Sequence, residues 1–388
     1  MEEKLFTDFA AISRDEWQKK IVTDLKGKDP ETLNWEVAGL NGGPIYTKED
    51  LPEQLTDLAN PHEQPAIFGA RHWVNYQLIV VDTDKTANQQ ALEALNTGAD
   101  GIIFKLDSQP AMNTLLADIN TDYCHLSFID NTTGSNLLEG LITHLEHVQA
   151  DLSKVNGYYV GTASAAQASG KLPQYKLFNI KADKYEGGSP VTELALTLSK
   201  TAALFDEQTE AGMPIGTLLQ HTQFELSLGT SYFTEVAKYR AMRGLALRFA
   251  GAYEVAVSTG DIDILASTGE WTEPIDDQHS YMLRATTEAM AAILGGTDAL
   301  CIKPFYTVFE KGQKALAERS ARNISNVLKE ESYFNKVVDP ASGSYFVEAL
   351  THDIMEQSWQ LFLAMEAAGG YTHLTTDKIE SLHQNLTA

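Results

Sequence analysis

Basic charge is scarce in this chain. Twenty-nine Lys and Arg stand against 53 Asp and Glu, a formal charge of −24 at pH 7. That balance argues against nucleic acid, whose binding rests on neutralising phosphates with Lys and Arg. It also disfavours an anionic membrane surface, and no dense basic patch is present to receive a polyanion. Cysteine is nearly absent. Cys124 and Cys301 sit in short apolar segments, too isolated for a disulfide framework or a Cys-based metal site, and point to a reducing compartment. No apolar run approaches the ~20 residues of a membrane span. The opening Met-Glu-Glu-Lys-Leu-Phe-Thr-Asp lacks the basic start and apolar core of a signal peptide. A cytoplasmic protein is expected. Low-complexity tracts, Gly-x-Ser-x-Gly and His-Glu-x-x-His are missing too, and nothing marks a Ser/His/Asp set.

What is present is a rhythm. A chain of 388 residues that is 43% hydrophobic can bury a large core. From about residue 74, apolar runs at 76–82, 101–106, 124–130, 157–161, 176–181, 223–228, 262–267 and 299–304 alternate with helical patterns. The clearest of these span 86–96, 135–151, 191–210, 231–248, 279–294 and 310–330. The runs read as near-continuously apolar, as strands covered on both faces do. Strand and helix in alternation implies parallel pairing with right-handed crossovers. Eight strands predict an α/β fold, a (β/α)8 TIM barrel. The competing fold, a doubly wound sheet, would more often carry a Gly-rich loop after its first strand, where this chain has Thr83-Asp84-Lys85-Thr86.

Residues 1–60 read as an arm: a helix over 17–25, a Gly-Gly-Pro turn at 42–44 and a second short helix from Lys48. Trp17, Trp35 and Tyr46 are too large for so short a segment to bury alone, so they pack on the main domain or on a partner. Residues 61–388 are then the barrel with C-terminal helices. Near its end, residues 331–351 predict a helix C-terminus, a tight turn at Asp339-Pro340-Ala341-Ser342-Gly343, and a new helix from near Thr351. Pro presets φ, Gly343 supplies a left-handed position, and Asp339 can accept from the turn's own backbone.

Several constellations invite chemistry and have plainer explanations. Gly161 to Lys171 has the wrong spacing for a phosphate loop, and Leu172 follows the Lys. Ser189-Pro190 reads as a helix N-cap and first position, where an anion could also sit. His144 and His147 share a helix face but lack a third ligand of matching context. Asp277-Gln278-His279 begins like a cobalamin-ligand motif, yet position 282 is Met and a barrel helix follows. Barrel active sites lie in the loops after the strands. Those loops hold Asp82, Asp84, Asp130, Asn131, Ser164, Tyr185, Glu186, Ser231, Ser267, Glu270, Trp271 and Lys303. No acid–base pair stands out among them; the mouth is either a ligand site or filled by packing and partner contacts.

The wording of the chain resembles the methylmalonyl-CoA mutase family from end to end. The arm's Asp24-Leu25-Lys26-Gly27-Lys28, Leu33-Asn34-Trp35 and Pro44-Ile45-Tyr46 carry the resemblance. So do Tyr232-Phe233 through Arg240 and Arg243, Met282-Leu283-Arg284 with Glu288, Gly295-Gly296, and Pro304-Phe305. Ala321-Arg322-Asn323, the Asp339-Pro340 stretch and Glu366 with Gly369-Gly370 follow in family order. The resemblance implies a barrel that binds acyl-CoA along its axis and a separate domain that brings adenosylcobalamin.

Two departures narrow that expectation. The sequence in hand runs eighteen residues past Gly370, without the cobalamin-binding domain, and anchoring on Trp271 and Arg284 places Leu265 where the family's catalytic His belongs. Leu donates no hydrogen bond to a thioester carbonyl. Likewise, Phe68-Gly69-Ala70-Arg71-His72-Trp73 replaces a Tyr-rich segment of the catalytic subunits. The resemblance therefore implies the branch of small, non-catalytic subunits. Such a chain binds no cofactor and no metal itself, pairs with a catalytic large subunit that works with adenosylcobalamin, and could form a homodimer in isolation. The alternative is an acyl-CoA-binding isomerase barrel served by a separate cobalamin-binding protein, with Tyr185, Glu270 and Trp271 as mouth residues.

Overall fold

The computed structural model describes residues 10, 12–51, 58, 69–162, 166–182, 189–268, 277–304 and 313–387. The arm supplies helix α1 (Arg14–Asp24) and a small antiparallel hairpin, β1 (Trp35–Val37) with β2 (Leu40–Gly42). Eight parallel strands follow: β3 (Val74–Val80), β4 (Gly101–Leu106), β5 (His125–Asp130), β6 (Tyr159–Val160), β7 (Phe178–Lys181), β8 (Thr222–Leu228), β9 (Ile264–Thr268) and β10 (Ala299–Cys301). Their order is 6-5-4-3-10-9-8-7, so the first and last barrel strands are neighbours. The remaining edges, β6 and β7, meet through the parallel bridge Tyr158–Lys176. This is the expected (β/α)8 TIM barrel.

Around it lie α2 (Asp84–Asn96), α3 (Met112–Leu115), α4 (Leu137–His147), α5 (Ala166–Ser169), α6 (Pro190–Glu210), α7 (Ile215–Gln220), α8 (Tyr232–Ala252), α9 (Gln278–Gly295), α10 (Lys314–Glu330), α11 (Tyr345–Ala367) and α12 (Thr376–Thr387). Helix α4 is shorter than its pattern predicts because Gln149 turns left-handed at φ 59°. The proposed boundary between arm and barrel at residue 60 lies outside the described residues. What is described of the arm docks by its aromatics: Trp35 and Tyr46 meet Phe346 of α11 edge-on at 5.9 and 4.9 Å. Trp17 stays half exposed on α1, which buries no residue.

Helix α8 runs through the largest core cluster with most of its side chains buried, including Lys238, Arg240 and Arg243. Buried cations need paired carboxylates, since an uncompensated charge costs several kcal/mol. Arg240 and Arg243 find them on other elements, and Lys238 on α6 and on α8 itself. Arg243 donates to Asp298 at 2.6 Å, at the foot of β10, and to the carbonyls of Thr259, Ile262 and Gly296. Arg240 pairs with Asp339 and, at 2.8 Å, with Glu348.

The Asp339 turn is therefore a clamp as well as a chain reversal. Ala341 N–H donates to Asp339 at 3.1 Å, Gly343 N–H to Glu348 at 3.0 Å, and Gly343 takes φ 80°. The helix after it begins at Tyr345, six residues before the position expected from sequence. Ser344 caps it by accepting from Val347 N–H, and Glu348 in its first turn is pulled inward by Arg240.

Arg240→Met strands Asp339 and Glu348 without their cation. A loss of about 3–5 kcal/mol is expected, read from the denaturant midpoint. A loss under about 1 kcal/mol would show that the clamp is not structural.

Candidate functional site

Side chains alternate across each strand, so every second one enters the barrel bore. Val74, Tyr76, Ile103, Tyr158, Leu265, Ala299 and Cys301 form one buried cluster there. The rings of Tyr76 and Tyr158 meet edge-on at 5.7 Å, and burial raises both phenols above the ordinary value. The Cys301 thiol is pushed up to about 12 by the same burial. These rings, with Leu265 fully buried beside them, plug the middle of the barrel.

Polar residues lie on either side of the plug. Below it, Asn179 donates to Gln223 at 2.9 Å and Gln223 to Asp263 at 2.8 Å. Burial raises the Asp263 carboxyl. Above it, Glu225 accepts from Ser267 at 2.8 Å and pairs with Lys181 at 3.3 Å. Sequence reasoning missed this upper set apart from Ser267. The signal was present: Thr222 to Leu228 places Gln223, Glu225 and Ser227 at every second position, so this run alternates rather than being continuously apolar.

Behind the mouth, Lys238 lies between Glu193 at 2.9 Å and Glu235 at 2.7 Å and donates to the Ser227 carbonyl at 2.6 Å. Despite burial, the two carboxylates hold the Lys238 ammonium above its ordinary value. Burial raises Glu235, the second acid on a single cation.

The mouth residues Tyr185, Glu270 and Trp271 lie outside the described residues, as do Ser164 and Glu186. Most of the other mouth residues are engaged in holding the fold. Asp84 accepts from Ala111 N–H at 2.8 Å, and Asp130 accepts from Thr132 N–H at 3.0 Å and Tyr159 O–H at 3.3 Å. Asn131 donates to Asp107 and Ser231 to Thr234. Asp82 is exposed, and Lys303 enters through its backbone, which donates to Thr268 and accepts from Tyr281. The structure brings Ser267 together with Glu225 and Lys181 and leaves the other described mouth residues apart.

The histidine pairs are equally settled. His144 bonds Asn113 at 2.8 Å. Asp277 caps α9, accepting from His279 N–H at 2.7 Å and Ser280 N–H at 2.9 Å. A carboxylate committed to a helix start does not fit the lower ligand set of a cobalamin. Among the described residues no group of three metal-ligating side chains gathers, and no helix is long and apolar enough to cross a membrane.

The fold and its plugged bore define a (β/α)8 barrel whose described mouth pairs no base with an oriented acid. The methylmalonyl-CoA mutase family profile matches residues 158–382. The methylmalonyl-CoA mutase small subunit of Porphyromonas gingivalis is 34% identical over 95% of this chain and 65% of its own length. The methylmalonyl-CoA mutase of Cereibacter sphaeroides is 26% identical over 92% and 59%. A probable methylmalonyl-CoA mutase small subunit of Mycobacterium tuberculosis is 33% identical over 48% and 31%. Among solved structures, a Yersinia pestis dihydropteroate synthase covers 76% of this chain and 98% of its own at 12% identity and a TM-score of 0.34, too distant to bear on function. The chain belongs to the methylmalonyl-CoA mutase family. It spans less than two thirds of the length of these curated relatives.

Glu235 supplies a pH test. Its folded pKa lies above the ordinary 4.5, so its contribution to stability is greatest below 4.5 and is lost as pH rises through the folded value. Glu235→Gln cannot titrate, so the variant should gain on the wild type between about pH 4 and about pH 7 in paired denaturant titrations. A constant difference across that range would contradict the assignment.

Proposed function

We propose that this chain is the small, non-catalytic subunit of a heterodimeric adenosylcobalamin-dependent methylmalonyl-CoA mutase. The observation that carries the reading is Leu265. It lies on the inward face of β9, fully buried against Tyr76, Tyr158 and Cys301, at the position where the family resemblance puts a catalytic His. A Leu there neither donates a proton nor hydrogen-bonds a carbonyl. The same cluster occupies the axis along which an acyl-CoA would have to thread.

Its relative from Porphyromonas gingivalis bears the name of a small subunit, which favours this branch. The isomerisation of methylmalonyl-CoA to succinyl-CoA then belongs to the large subunit and to the adenosylcobalamin that subunit holds. This chain contributes a rigid frame and an arm whose exposed Ile12, Trp17 and Val22 await cover. A cytoplasmic complex in propionate metabolism fits the acidic, cysteine-poor composition. An acyl-CoA-binding isomerase in its own right would need a mouth built from Tyr185, Glu270 and Trp271.

Co-expression with the large subunit should yield a heterodimer whose large subunit survives heating longer than alone. Leu265→Ala in this chain should lower the melting temperature of the complex without changing kcat beyond the fraction unfolded. A large subunit equally stable and active alone contradicts the proposal, and so does a kcat that collapses in a folded Leu265 variant.

A further inference from the structure

A cavity lies at the foot of the barrel, walled by Arg71, Arg240, Gly296, Asp298, Val338 and Asp339, with a volume of about 10 Å³ for a water-sized centre. That is room for one small occupant. Arg71 is 4% exposed and enters no ion pair among the described residues. A guanidinium carries five N–H donors, yet the acceptor offered to this one is the Val338 carbonyl at 3.5 Å. Arg71 Nη2 and Arg240 Nε are buried with no acceptor among the described residues.

Arg71 and Arg240 both line this cavity. Arg71 Nη2 comes within 3.9 Å of where a Cβ on Gly296 would stand, with Arg243 Nε at the same distance, and Gly296, at φ 102°, leaves that space open. The acceptors around the cavity are already engaged. Asp298 takes Arg243 and Ile264 N–H, the Gly296 carbonyl takes Arg243, and Asp339 takes Arg240 and Ala341 N–H. Donors are therefore left over. A water there would donate its own protons to the flanking carboxylates, whereas an anion also supplies the charge partner that Arg71 lacks among the described residues.

We propose that this cavity binds one halide-sized monovalent anion, chloride in ordinary buffers, held by Arg71 and Arg240. The anion satisfies the buried guanidinium where the chain enters β3 and ties that entry to the Val338–Asp339 turn. Without it, burial and the neighbouring Arg243 pull the Arg71 pKa down to about 10, against the pull of Asp298 and Asp339.

The test melts the protein in potassium chloride and in potassium gluconate at equal ionic strength. Chloride at tenths of molar should raise Tm by about 2–4 °C. Crystals grown in bromide should show an anomalous peak within hydrogen-bond reach of Arg71. Arg71→Met should lose the chloride effect, and Arg71→Lys, which keeps the charge without the fork, replaces it if the Met variant does not fold. Equal melting in both salts, the same chloride gain in the Arg71→Met variant, or no anomalous peak at the site in the bromide crystals would overturn the proposal.

Discussion

Three cations buried along one helix govern how the rest of this barrel is assembled. Lys238, Arg240 and Arg243 lie on α8 with almost no exposure, and none can be left unpaired in so dry a setting. Their carboxylates come from α6, from α8 itself, from the foot of β10, from the Asp339 turn and from α11. One helix thereby fastens both ends of the neighbouring strands and the chain that returns after the last barrel helix. The Asp339-Pro340 turn, which carries the family resemblance, owes its shape to this requirement. Asp339 and Glu348 must both reach Arg240, and a tight turn followed at once by a helix brings them there.

The clamps sit outside the bore, so the bore is free to change without loss of the frame. In this chain it is filled. Tyr76, Tyr158, Leu265 and Cys301 close its middle, and the polar groups above and below satisfy one another: Lys181 with Glu225 and Ser267, Asn179 through Gln223 to Asp263. Chemistry at a barrel mouth needs a group whose hydrogen-bonding capacity is left for substrate. Asp130 spends both oxygens on Thr132 and Tyr159, and Glu225 commits one of its two to Ser267 and Lys181.

Much of the fold was legible because its signals are periodic. Short apolar runs alternating with helical patterns produced eight strands at close to their observed limits. The exceptions have local causes: Gln149 ends α4 through a left-handed backbone, and α11 starts at Tyr345 because Ser344 caps it and Arg240 draws Glu348 inward. The site was less legible. Loops after strands nominated Asp84, Asp130 and Asn131, but which carboxylate is free depends on contacts between residues distant in sequence, such as Asp130 with Tyr159. Glu225 and Lys181 were hidden inside strands read as apolar, although the two-residue alternation of β8 marks them. The buried Arg71 Nη2, with no acceptor among the described residues, has no signature in sequence, since it is defined by what surrounds it.

The central claim is that the barrel is kept as a frame and has given up the catalyst's ligand path. The most direct measurement is the stoichiometry with which a non-reactive acyl-CoA analogue binds the assembled heterodimer, together with titration of this chain alone. A single site per heterodimer, and no saturable binding to the isolated chain, is the result expected from the plugged bore. A second site that disappears when the mouth or bore of this chain is altered would contradict it.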